Sequence, residues 1–118
     1  MSRSRIRALL LATVGLSFAA SANASDYQGY VTSLIQIGSR VFIYVGNGHF
    51  GTDNCGTGRT QLILYTDPTT AEGRSFVALA TTAKVTNTEV YVAGDGVCYT
   101  GNTPNGATSE ALNVVWLQ

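Results

Sequence analysis

The sequence predicts a β-rich (α+β) domain, a five-stranded Greek-key barrel with one helix inserted between strands three and four. Three observations carry that expectation. Short runs of β-branched and aromatic residues alternate with glycine, asparagine and proline punctuation; one segment switches to helical periodicity; and two cysteines lie in a chain that opens like an exported one.

The opening comes first. Residues 1–7 carry Arg3, Arg5 and Arg7 and no acid, and residues 8–20 are apolar apart from Thr13, Gly15 and Ser17. Ser21-Ala22-Asn23-Ala24 follows, with small residues at the two positions that a signal peptidase reads. The order basic, apolar, small is that of a secretory signal, and the apolar run is shorter than the ~20 residues a membrane span needs. Residues 1–24 are therefore expected to be a cleavable signal peptide. Ser25 is then the mature N-terminus, and residues 25–118 form one periplasmic or secreted domain. A buried N-terminal helix, the competing reading, makes both the arginines and the small-residue site coincidence.

Charge follows from that cut. The mature chain sets Arg40, Arg59, Arg74 and Lys84 against seven carboxylates, a formal charge of 4 − 7 = −3. Scattered cations on a slightly acidic domain give no footprint for nucleic acid or anionic lipid. Cys55 and Cys98 are the only cysteines, and an even pair in a small exported domain points to a structural disulfide. Closing that loop would remove roughly 4 kcal/mol of unfolded-state entropy.

Along the mature chain, residues 30–37 (YVTSLIQI) and 41–45 (VFIYV) flank Gly38-Ser39 and read as a hairpin. Residues 46–60 hold five glycines and are expected to be irregular. Residues 61–65 (QLILY) are the third strand, closed by Thr66-Asp67-Pro68. From Ser75 the period changes: Phe76, Leu79, Ala80 and Ala83 mark one face of a helix, with Ser75 as N-cap and Asn87 as its left-handed exit. Residues 89–93 (EVYVA) are the fourth strand, Gly94-Asp95-Gly96 a tight turn, and residues 111–117 (ALNVVWL) the last strand. Three strands, a helix and two strands is the order of the OB-fold; a helix packed across an open sheet is the alternative.

The strands are apolar on both faces. Val41, Ile43 and Val45 point one way and Phe42 and Tyr44 the other. Both sets cannot fill one small core, and alternation leaves open which faces inward; either the helix and loops cover the other face, or it is a homo-oligomer interface, with Phe42, Tyr44, Ile63 and Val115 opposite the inward set.

The hairpin, the Cys55-bearing loop, QLILY, the 76–84 helix, EVYVA and Cys98 together resemble the B subunits of pentameric A–B toxins, with the closer likeness to the subtilase-cytotoxin and pertussis-toxin style. The likeness is architectural and spans the mature chain. It implies an OB-fold homopentamer that binds cell-surface glycans; no sugar-binding motif of that family carries over.

Among local motifs, Gly46-Asn-Gly-His-Phe-Gly51 matches a dinucleotide fingerprint in letters but lacks the following helix, so it reads as composition. His49 is the lone histidine, with too few partners for a triad or a metal site. Gly94-Asp95-Gly96 lacks the further oxygens of a calcium loop. No catalytic apparatus, cofactor or metal is expected. If the bridge forms, it pins His49, Phe50, Asp53 and Tyr99 near one another, and aromatic faces beside amides such as Asn47, Asn54 and Asn102 suit a sugar. The plainer reading makes Phe50 and Tyr99 plugs of the barrel mouth. The leading expectation is an exported, non-enzymatic binding domain for a glycan or protein partner. The alternative is a monomeric accessory or inhibitor protein that presents a disulfide-held loop.

Overall fold

The computed structural model describes residues 24–118, so the expected signal peptide lies outside the described residues except for Ala24. The elements are β1 (Asp26–Ile37), β2 (Arg40–Thr52), β3 (Leu62–Thr66), α1 (Ala71–Thr86), β4 (Val90–Gly94) and β5 (Glu110–Leu117). β1 pairs antiparallel with β2 and with β4, β2 with β3, and β4 with β5; β3 runs parallel to β5. The sheet thus closes on itself in the order β1-β2-β3-β5-β4. Gly38, at φ 59°, makes the β1–β2 turn, a backbone conformation that costs glycine nothing.

The register of β1 with β2 shifts at three places. Such bulges bend a strand and raise its twist. Its first residues, Asp26 to Gly29, reach β4 while the whole strand follows β2.

The expectation of an irregular stretch from residue 46 is corrected over its first half. Residues 46–52 continue β2, with Phe50 opposite Tyr27 and His49 opposite Gln28. The glycines there permit close approach rather than disorder. A Cβ on Gly48 would lie 1.8 Å from the Gln28 carbonyl oxygen, and one on Gly29 2.5 Å from that of Gly46.

The helix also begins earlier than its apolar stripe suggested. Its N-cap is Thr70, whose Oγ1 accepts from Gly73 N at 2.9 Å, and Ser75 lies inside the helix. Gly73 hid this first turn, yet it is required there: a Cβ would fall 1.7 Å from the Asp67 carbonyl. Asn87 ends the helix at φ 52°, its N–H directed to Ala83 O and Lys84 O. The buried face is Gly73, Ala80 and Ala83, flanked by Phe76 and Val77, whereas Leu79 is 39% exposed. Small residues let the helix sit close against the open end of the sheet. Inside lie Tyr27, Val31, Val41, Ile43, Val45, Leu62, Leu64, Val90, Val92 and Leu112, joined by Ala80 and Ala83.

The proposed outer set of Phe42, Tyr44, Ile63 and Val115 does not survive as an exposed face. Val115 pairs with Val92 and packs against the core. Phe42 and Ile63 do point outward but are 0% and 6% exposed: Phe42 packs against Tyr65, whose ring Tyr99 meets in turn, and Ile63 lies by Ala107 and Thr108. The exposed large apolar side chains of the sheet are instead Ile35, Val114 and Trp116.

Candidate functional site

The connection over β2 and β3 is held at three points. Cys55 and Cys98 form the expected disulfide, with Cα atoms 5.5 Å apart, a bond that an oxidising compartment sustains. Tyr99 exchanges backbone hydrogen bonds with Ser109 at 2.7 and 2.9 Å. Its ring lies tilted against that of Tyr65, centroids 5.2 Å apart, and the Arg40 guanidinium lies over both, 4.7 Å from the Tyr99 centroid and 5.1 Å from that of Tyr65. Arg40 Nη1 also donates to Tyr99 Oη at 3.2 Å. Burial pushes the Tyr65 phenol above its ordinary value, the Asp95 charge adds to the rise, and Arg40 opposes it.

Arg59 clamps the other end. It donates through Nε and Nη2 to the two Asp53 oxygens at 3.1 and 2.5 Å, and through Nη1 to Thr108 O at 3.2 Å. Its guanidinium lies 5.4 Å from the Phe50 ring centroid, and Phe50 meets Tyr27 edge-on at 4.8 Å. The residues expected to share a ligand face therefore separate. Phe50 and Asp53 turn to Tyr27 and Arg59, Tyr99 turns to Tyr65 and Arg40, and His49 stands exposed on β2 beside Gln28. Among the described contacts none joins His49 or Tyr99 to the other three. The bridge brings backbones together, but strand pairing aims the side chains apart.

Between these clamps run two adjoining grooves of about 390 and 400 Å³, which share Thr60 and Gln61. The first is lined further by Thr32, Gly46, Asn47 and Gly48. The second runs past Gly58, Arg59, Ile63, Ala107 and Thr108. Tyr27 fixes the lips of the first from below: its buried hydroxyl accepts from Gly48 N at 2.9 Å and donates to Thr60 O at 2.8 Å. Asn47 sits at φ 57°, so its side chain departs from the strand's alternation at the rim.

The groove's chemistry is neutral and polar. Its hydrogen-bonding side chains are three threonine hydroxyls and the amides of Asn47 and Gln61. Among the described residues neither amide has a hydrogen-bond partner. The one charge, Arg59, is matched by Asp53. Tyr44, opposite Ile63 in the ladder, shares that outer face and is half-buried. Sequence reading weighed Asn47 but not Thr32, Thr60, Gln61 or Tyr27. Arg59, the only cation in the glycine-rich stretch, was the signal that could have pointed to a clamp there.

The expected Gly94-Asp95-Gly96 turn is corrected: Gly94 closes β4, and the chain bends after it at Gly96 (φ 86°), with Asp95 Oδ1 accepting from Val97 N at 3.0 Å. No group of three or more histidine, cysteine or carboxylate side chains gathers in metal-binding range among the described residues. No helix among them is long and apolar enough to cross a membrane. Comparison with protein-family models, with curated proteins and with solved structures finds no match to this chain.

Proposed function

We propose that the mature chain is an exported, non-enzymatic OB-fold domain that binds a neutral glycan in the groove between β2, the 53–61 connection and residues 107–108. The observation that carries this reading is the pair of unpartnered amides, Asn47 and Gln61, on a rim held rigid by Tyr27. Amides and hydroxyls with free hydrogen-bonding capacity suit sugar hydroxyls, and the half-buried Tyr44 lies on the same outer face of β2, where an aromatic ring suits a sugar's C–H face. An anionic ligand is disfavoured because the only cation is already paired. The position supports the reading as well: in OB-folds the strand 2–3 face is the usual ligand surface. The likeness to toxin B subunits points to the same ligand class. Assembly with further copies, which that likeness implies, would use the exposed β4–β5 face rather than the covered one.

The test is a glycan array on the chain beginning at Ser25, with Asn47→Ala and Gln61→Ala beside it. A ligand whose binding falls at least tenfold in both variants, with unchanged thermal midpoints, supports the groove. Undiminished binding by both variants places the site elsewhere. An array without any ligand removes the glycan reading.

A further inference from the structure

Glu110, the first residue of β5, is 0% exposed. Its Oε2 accepts from Ser25 N at 3.1 Å and from Gly96 N at 2.9 Å. Its Oε1 is buried and has no partner among the described residues. No lysine or arginine side chain contacts it there. A carboxylate in that setting lacks both a counter-charge and part of its hydrogen bonding, a costly arrangement. The fold nonetheless makes room for it: a Cβ on Gly94 would lie 2.6 Å from Oε2.

Ser25 is the other half of this arrangement. It is 0% exposed, and each of its polar groups is engaged. Its nitrogen donates to Glu110, its carbonyl accepts from Gly94 N at 2.9 Å, and its Oγ accepts from Asn54 N at 2.7 Å. Residue 25 is thus seated between the end of β4, the start of β5 and the Cys55-bearing connection. Linked to Ala24, its nitrogen is a neutral amide with a single hydrogen.

We propose that signal-peptide removal creates a buried ion pair between the Ser25 α-ammonium and the Glu110 carboxylate, so that processing itself completes the fold. The inference rests on cleavage falling between Ala24 and Ser25. Hydrolysis of that peptide bond consumes one water, leaves the carboxylate on Ala24 and the amine on Ser25, and the amine takes up a proton. An α-ammonium carries three donors and a full charge where the amide offered one donor and none. It supplies the counter-charge Glu110 lacks, with donors to spare for Oε1. The pair would tie the start of β1 to residues 94–96 and to β5, across the seam where the sheet closes.

The test is a cycle of four chains released in vitro by a site-specific protease: starting at Ser25 or at Ala24, each with Glu110 or with Glu110→Gln. With Glu110 present, the Ser25 chain should melt roughly 4–8 °C above the Ala24 chain, the shift that about one kcal/mol produces in a domain this size. In the Glu110→Gln background the two should coincide. Equal midpoints with Glu110 present, or the same gain in both backgrounds, overturn the pair. Should Glu110→Gln fail to fold, the unsubstituted Ser25 chain still decides. Its α-amine should react with an amine-acylating reagent far more slowly than the exposed Lys84, and equal or faster labelling overturns the proposal. The N-terminal mass of the exported protein separately reports where cleavage occurs, so an error there stays distinct from a failure of the pair.

Discussion

The outer faces of β2–β3 and β4–β5 are built from similarly apolar strands and meet opposite fates. On the first, Phe42 and Ile63 are sealed at 0% and 6% exposure; on the second, Trp116 and Val114 stand at 63% and 38%. The difference is a cover. Residues 95–109 are long enough to fold back across β2 and β3, and the disulfide, the Arg40–Tyr99 stack and the Arg59–Thr108 bond hold them there. Among the described residues nothing comparable crosses β4 and β5. Strand alternation tells which side chains share a face, but covering a face is decided by a distant segment.

The sharpest way to break this contrast is Phe42→Ala. Truncating a fully buried phenylalanine that packs against Tyr65, the ring Tyr99 meets, should cost about 3–5 kcal/mol in urea unfolding. A loss below about 1 kcal/mol would mean that residues 95–109 lift readily and that the cover is not part of the cooperative fold.

Alkaline titration reads the same cover more gently. The Tyr65 phenol is held above its ordinary value, first by burial and then by the Asp95 charge, with Arg40 acting against both. The folded state therefore keeps that proton longer than the unfolded chain does. The associated stability is fully present below about pH 10, where unfolded tyrosine titrates, and is lost as pH rises through the higher folded value. Tyr91, raised by burial and by donating to Asp26 Oδ2 at 3.0 Å, adds a separate fall of the same sign. Urea midpoints between pH 9 and 11 should thus decline less steeply in Tyr65→Phe than in the unsubstituted chain. Identical slopes would show that the ring is not desolvated beneath the cover.

These features mark how far the sequence could be read. Strand number, their order around one helix, the Gly38-Ser39 turn, the Asn87 exit and the Cys55–Cys98 bond were legible because each rests on local chemistry or on simple pairing. The extension of β2 through Gly46-Asn47-Gly48 was not, since glycines that permit close strand approach look like loop until the partner strand is known. Thr70 was missed as the cap because Gly73 masked the first turn. The candidate site was the least visible part. A bridge between Cys55 and Cys98 suggests that Phe50, Asp53 and Tyr99 gather, yet β2 pairing turns Phe50 inward to Tyr27 while the β3 face draws Tyr99 to Tyr65. Glu110 stood in plain view as the acid opening an apolar strand. Its meaning needed Ser25, which lies next to it only in space.

The smallest expected effect falls on the bare face. Trp116 is 63% exposed beside Tyr91 on β4, and at micromolar concentration Trp116→Ala should change unfolding by no more than about 0.5 kcal/mol. Concentration makes the comparison informative. A face that is covered only when copies meet contributes stability by mass action, so the unsubstituted midpoint should climb as protein is raised toward the millimolar range. The Trp116→Ala midpoint should then stay flat, and the two proteins should coincide again on dilution. Sedimentation equilibrium on the same samples would show the matching rise in mass for the unsubstituted chain alone. If neither midpoint responds to concentration, the β4–β5 face is solvent-exposed by design and the assembly reading falls. The two faces would then differ in whether they are covered at all, rather than in who covers them.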